Sequence, residues 1–317
     1  MRDLKTTRLK SNWPVLAGMV TILIWGIFPA FMRSITEAIG PLATGAIGNT
    51  SAGILFLLYK WRTTGLKPIR AVPRQYWLIC GVFYIAAVVA SELSIGLAVD
   101  REQVLVVGLI RLLWPVVTLI LAIPISKAKA SPWLIGGLIF SSLGVMVTNL
   151  DPGAPAVGAL FRAVLASGLP GVLSLISGTS WALYSNFFGK YVKTPAHDFV
   201  GLLLVVTGLG QGVGALIVRH PFDLVPRHGL EFFFLVFISI FVGTLLWNRA
   251  MGSDRKLVVI VLSNLLPLVT TVLTGLVLGV PLTWPILLGA SLVVVGTVWS
   301  KRCIRAGEGE TEMVGSG

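Results

Sequence analysis

Charged residues are scarce in this 317-residue chain: 12% of its positions are Asp, Glu, Lys or Arg, against 55% apolar. A single soluble core cannot hide that much hydrophobic surface, so the mean hydropathy of +0.89 reads as an integral membrane protein. Cysteine is scarcer still. Cys80 lies in an apolar segment and Cys303 in a basic tail, settings too different for a disulfide, a metal site or a redox pair. The three histidines, His197, His220 and His228, fall between apolar segments, and none stands with an intramembrane carboxylate at ligand spacing. That weighs against an intramembrane enzyme, and no cofactor or metal is expected. The pattern G-x-x-x-x-G-K-[ST] is missing, so any driving force comes from gradients. Strand-like alternation is missing too, which leaves a helical bundle rather than a barrel.

Apolar stretches between charges and Pro/Gly breaks number ten, near 13-32, 42-59, 76-98, 103-125, 132-149, 170-189, 199-218, 230-249, 257-279 and 284-300. The start, "MRDLKTTRLKSN", has the charge of a signal peptide, but the apolar stretch after it is too long and lacks an A-x-A-like exit, so it reads as a first spanning helix that stays. With ten spans, nineteen lysines and arginines fall on one side and five on the other: Arg33, Arg101, Arg162, Arg219 and Arg227. The positive-inside rule then puts both termini in the cytoplasm. Topology therefore accounts for the net charge of +12 better than nucleic-acid binding does. Trp13, Trp61, Trp77, Trp133 and Trp299 fall near the cytoplasmic boundary as an interfacial belt.

The chain repeats itself. "DREQVLVVGLIRLLWP" (100-115) resembles "DRKLVVIVLSNLLP" (254-267), and "LIWGIFPAF" (23-31) echoes "TSWALYSNF" (179-187). Two halves of five helices follow, residues 1-150 and 170-302; because five is odd, the second half enters the membrane from the opposite side, the inverted arrangement of transporters. Residues 151-169 read as an outer-side linker or a short interfacial helix, and 303-317 as a disordered cytoplasmic tail. Small residues at i,i+4, as in Gly208/Gly212, Gly210/Gly214, Gly275/Gly279 and Gly137/Ser141, suit close helix packing, within the monomer or in a homodimer.

Some residues sit in lipid at a cost. Arg111 interrupts an apolar run, and a lone arginine at that depth costs at least about 2.5 kcal/mol, so it is expected to face a cavity or a partner. Glu92 lies about six residues and Arg111 about eight from the outer ends of adjoining helices, or roughly 9 and 12 Å at 1.5 Å per residue. A Glu92–Arg111 pair is expected, either lining an outward cavity or stapling two helices. Glu92 is also the candidate for proton coupling, alongside passive facilitation. Pro115 and Pro267 stand at matched positions deep in their spans, where each is expected to bend its helix as one of two hinges. Trp25 and Trp181 match near the midplane, with Trp114, Tyr84 and Tyr184 at similar depth. Together they suggest an aromatic-walled cavity for a small organic solute, with Arg111, Asn186 and Asn264 as polar handles.

The stretches "ILIWGIFPAF", "LLWPVVTLILA", "SWALYSNFFGKY", "LLWNRAM" and "LSNLLPLVTTVL" resemble the drug/metabolite transporter superfamily with its two EamA-type halves, and within it the YddG-type aromatic amino acid exporters of bacterial inner membranes. The resemblance spans roughly residues 13 to 302. It implies that Trp114-Pro115, Trp181, Trp247-Asn248 and Pro267 stand at family motif positions, that Trp247 belongs to an inner gate, and that the central cavity takes amino acids or similar metabolites for export. The sequence departs from that pattern at Arg111, where relatives carry a small polar residue such as Asn. A positive charge there favours acids or other anions, the alternative substrate class.

Overall fold

Breakers between apolar runs set the helix ends. A computed structural model of the chain describes residues 3–126, 129–147, 164–191, 198–251 and 262–305. The first helix, α1 (Asp3–Ile39), runs through Arg33, where the sequence pattern ended it, and stops only at Gly40, whose φ of +81° few other residues adopt. Pro41 then starts α2 (Pro41–Thr63), where its missing N–H costs nothing. The third span opens with a π-helical stretch, Tyr76–Gly81, and continues as Val82–Gly96; together they are α3. Asp100 caps α4 (Arg101–Arg111) by accepting a 2.7 Å hydrogen bond from the Gln103 amide.

The fourth span departs from expectation. It is not one bent helix but two: α4 ends at Arg111, Leu112 and Leu113 turn, and α5 (Trp114–Ser126) begins anew. Pro115 therefore stands in a first turn, where proline breaks no hydrogen bond. The matched span does the same. A 3₁₀ turn, Ser263–Leu265, precedes α10 (Leu266–Leu278), and Pro267 sits in its first turn. Both prolines mark helix starts rather than kinks. The remaining helices are α6 (Leu134–Val147), α7 (Gly168–Tyr191), α8 (Val200–Val218), α9 and α11 (Trp284–Arg302). α9 is Pro226–Phe233, a π stretch Phe234–Gly243 and Thr244–Met251 run end to end.

The expected tail begins later than residue 303. Ile304–Arg305 pairs antiparallel with Lys129–Ala130, so the chain beyond Arg302 stays ordered through Arg305. These two-residue strands are the only β structure among the described residues. Of the linker, 151–163 lie outside the described residues, as do 306–317 of the tail. Residues 164–166 are helical, and Val164 is buried against Val293 and Ile110.

Among the described residues, five helices are long and apolar enough to cross a bilayer: Trp13–Ile39, Pro41–Thr63, Tyr76–Gly96, Val200–Val218 and Pro226–Trp247. Their packing crosses between the halves. α2 lies along α8 and α6 along α11, each against its counterpart in the other half. α1 packs on α10 and α9, while α7 packs on α4, α5 and α3, so neighbours are exchanged reciprocally. Small residues allow the close approaches. A Cβ on Gly53 would lie 2.6 Å from the Gly201 carbonyl oxygen, and one on Gly144 would lie 2.6 Å from that of Gly289. Of the expected small-residue pairs, Gly208 meets Thr50 and Gly137 meets Ser300. Gly210 faces open space, and Gly279 serves instead as the left-handed end of α10, with φ +69°.

Candidate functional site: a cavity at two helix breaks

The two breaks meet. Leu112 from the first and Leu266 from the second share a core cluster with Ile22, backed by Trp25 and Trp114. α7 presses on the first break through Gly178, where a Cβ would sit 2.9 Å from the Arg111 carbonyl oxygen. Above this junction opens a cavity of about 170 Å³, lined by residues of α1, α2, α3, α4, α5, α7, α8, α9 and α10.

Aromatic rings form much of its wall. Trp181 stands 6.5 Å from Trp114, edge to face, and 6.2 Å from Tyr84. Trp25 closes another side; its indole N–H donates to the Ser239 carbonyl at 3.2 Å, within the π stretch of α9. Tyr184 lies behind the wall, 5.1 Å from Tyr84 and 5.4 Å from Trp181, and does not line the cavity. Trp247 packs against Trp25 with ring centroids 5.3 Å apart and the planes tilted by 43°, and it does not line the cavity.

The polar groups differ most from the sequence reading. Glu92 and Arg111 both line the cavity but form no ion pair. The Glu92 side chain turns toward α2 and α8, where Asn49 Nδ2 donates to Oε1 at 3.0 Å and to Oε2 at 3.1 Å, and Gln211 Nε2 donates to Oε2 at 2.6 Å. Asn49 Nδ2 also donates to Gln211 Oε1 at 2.8 Å, closing a three-residue network. Gly45 makes room for it: a Cβ there would lie 2.5 Å from Glu92 Oε2. The Arg111 guanidinium makes no hydrogen bond or ion pair with any described residue. The hydroxyls of Ser91 and Ser239, also on the wall, are buried without a partner. Asn186, expected as a handle, instead donates to the carbonyls of Thr118 at 3.1 Å and Ala182 at 2.9 Å, tying α7 to α5. The side chains of Asn264, Asn248 and Pro115 lie outside the described residues.

Sequence reasoning missed Asn49, Gln211, Ser91 and Ser239. Asn49 and Gln211 were legible in principle, as amides deep inside apolar runs. The serines carried no such signal, because serine hydroxyls in spanning helices commonly bond their own helix.

Beyond one end of the cavity, Glu37 accepts from Arg101 Nη2 at 2.6 Å and from Arg33 Nε at 2.9 Å. Arg33 Nη1 reaches the carbonyls of Ile95, Gly96 and Ala98 near the end of α3, and Arg101 Nη1 that of Leu278 at the end of α10. Arg33, expected in a loop, is thus a buried helix-end clamp. At the other end Asp198 accepts from the Val200 amide at 3.0 Å, and burial pushes its carboxyl above the usual carboxylate range.

Among the described residues no group of His, Cys, Asp and Glu could hold a metal ion. Comparison with known proteins agrees with the architecture. The EamA-like transporter family matches twice, over residues 12–150 and 169–301. The aromatic amino acid exporter YddG of Salmonella typhimurium (strain 14028s / SGSC 2262) is 26% identical over 297 residues, 92% of this chain and 97% of that one. The protein of the same name from Escherichia coli (strain K12) is 23% identical over 292 residues, with the same coverage of 92% and 97%. A protein of known crystal structure, 20% identical, superposes with a TM-score of 0.64 over 91% of this chain and 97% of its own, a likeness of fold. With helices fit to span a bilayer and the family matched over most of its length, the chain is a multi-pass transporter rather than an enzyme, and it belongs to the EamA-like transporter family of the drug/metabolite transporter superfamily.

Proposed function

We propose that the protein exports small amphipathic metabolites, aromatic and other neutral amino acids first among them, across the inner membrane by alternating access. The observation that carries this reading is the cavity itself: Trp25, Trp114, Trp181 and Tyr84 surround a space at the junction of two matched helix breaks. Relatives of nearly the same length are named aromatic amino acid exporters. Broken helices supply the unpaired backbone groups and rigid halves on which a central site with alternating access depends.

In this reading both termini are cytoplasmic, and the knot at Arg33, Glu37 and Arg101 closes the outer side. Rocking of the two five-helix halves about the breaks opens one face as it shuts the other. Glu92, buried among amides, is the group through which a proton gradient couples to transport. The protein works as a monomer or a homodimer.

Counterflow in proteoliposomes tests the reading. Unlabelled phenylalanine or tryptophan trapped inside should drive accumulation of the matching tracer, and Trp181→Ala should reduce it at least tenfold. Absence of counterflow for every neutral amino acid tried would remove the amino acid assignment. An unchanged pH profile in a transporting Glu92→Gln variant would remove the proton coupling.

A further inference from the structure

We propose that the cavity recognises its substrate by a carboxylate and not by an ammonium group, so that it takes aromatic or apolar monocarboxylates, with amino acids as the subset that also carry an amine. The inference rests on the transporter reading above and deepens it. Arg111 is a guanidinium on the cavity wall without a hydrogen bond or ion pair to any described residue. A cation held at membrane depth is stable only against a partner or a polar cavity. The one carboxylate sharing the cavity does not serve, because both Glu92 oxygens accept from the amides of Asn49 and Gln211.

Glu92 therefore offers nothing to an incoming ammonium, while Arg111 offers a planar fork of donors that matches a carboxylate. The surroundings favour the same sign. Arg111 is the last residue of α4, where the helix dipole steadies a cation, and Trp114 begins α5, whose N-terminal end favours an anion. Ser91 and Ser239 add two unpartnered hydroxyls that can donate to a carboxylate. Asn49 and Ser177, also on the lining, already donate to Glu92 and to the Ala87 carbonyl, Thr244 adds a further hydroxyl, and the remaining lining residues are aromatic or aliphatic, Trp114 and Trp181 among them. A flat hydrophobic body with one carboxylate matches both the aromatic wall and the open guanidinium.

Counterflow with three phenylethyl solutes decides between the groups: phenylalanine with both, 3-phenylpropanoate with the carboxylate alone and phenethylamine with the amine alone. Each is read above the leak of protein-free liposomes. The expected result is exchange of 3-phenylpropanoate at least as fast as phenylalanine and none of phenethylamine. Loss of one charge-assisted contact in Arg111→Gln should lower carboxylate exchange about tenfold or more, and Arg111→Lys, which keeps the charge but not the fork, should retain part of it. Phenethylamine exchanged like phenylalanine, or undiminished carboxylate exchange in Arg111→Gln, overturns the inference and leaves amino acid export standing. A wild-type protein that carries none of the three, nor any other amino acid, fails the function itself. Should Arg111→Gln not reconstitute, the solute order in the wild type and the Arg111→Lys result decide alone.

Discussion

The Asn49 side-chain amide donates to both carboxylate oxygens of Glu92, at 3.0 and 3.1 Å, bridging α2 to α3 at the edge of the cavity. A buried carboxylate short of donors is costly, and at this position the cost is met by a neighbouring helix. The arrangement also decides which charge in the cavity is free to meet a solute.

Asn49→Ala should therefore lower stability by about 1 to 3 kcal/mol, the penalty of leaving a buried polar group unsatisfied. Thermal unfolding in detergent measures it. With Glu92→Gln added, the double-mutant cycle should return a coupling of roughly 0.5 to 3 kcal/mol. Additive effects would mean that the contact carries no energy.

The knot around Glu37 joins three helices and, through Arg101 and Leu278, the two halves. Glu37→Gln weakens both ion pairs at once. A cysteine introduced at Ser91 should then react several-fold faster with a membrane-impermeant maleimide applied from the Arg101 side. An unaltered rate would show that this end is closed by packing alone.

Close backbone approach between α2 and α8 predicts intolerance of a single methyl group. Gly53→Ala places a Cβ 2.6 Å from the Gly201 carbonyl, and overpacking of this kind costs about 1 to 3 kcal/mol. Gly210→Ala, facing open space inside the helix, should hold or raise the melting temperature. The pair of variants separates helix propensity, which improves in both, from packing.

At the breaks, Leu112→Ala should be the damaging change and Pro115→Ala the mild one. Leu112 is 2% exposed in the cluster it shares with Leu266, where truncation costs about 2 to 5 kcal/mol. A first-turn proline contributes mainly by stiffening the unfolded chain, about 1 kcal/mol or less. The reverse order in thermal unfolding would mean that proline, not leucine packing, maintains the break.

The membrane class and the cavity's aromatic composition were legible because both are written in residue type: long apolar runs, and Trp25, Trp114 and Trp181 at matched depth. Partners were not. Depth along adjoining helices brought Glu92 and Arg111 to the same level, but depth says nothing about rotation about the helix axis, and rotation aims Glu92 at α2 and α8. Asn186 failed for the same reason, since a short amide in a helix can turn to carbonyls as readily as to a cavity. The prolines were placed correctly in the sequence and misread in geometry. Whether proline kinks a helix or begins one depends on the two or three residues before it, and the Leu-Leu steps at 112-113 and 265-266 give no local signal of a stop.

The exchange of neighbours between the halves bears on how the protein comes into being. α2 and α6 find their main partners in α8 and α11, so the first five segments leave the ribosome before the surfaces that complement them exist. Until then the glycine-lined grooves of α2 and α6 face lipid or the insertion machinery. Assembly is thus tied to completion of synthesis, and a truncated product would present unmatched grooves to quality-control proteases. Severed between the halves, the two pieces should regain the cavity only when made together in one membrane.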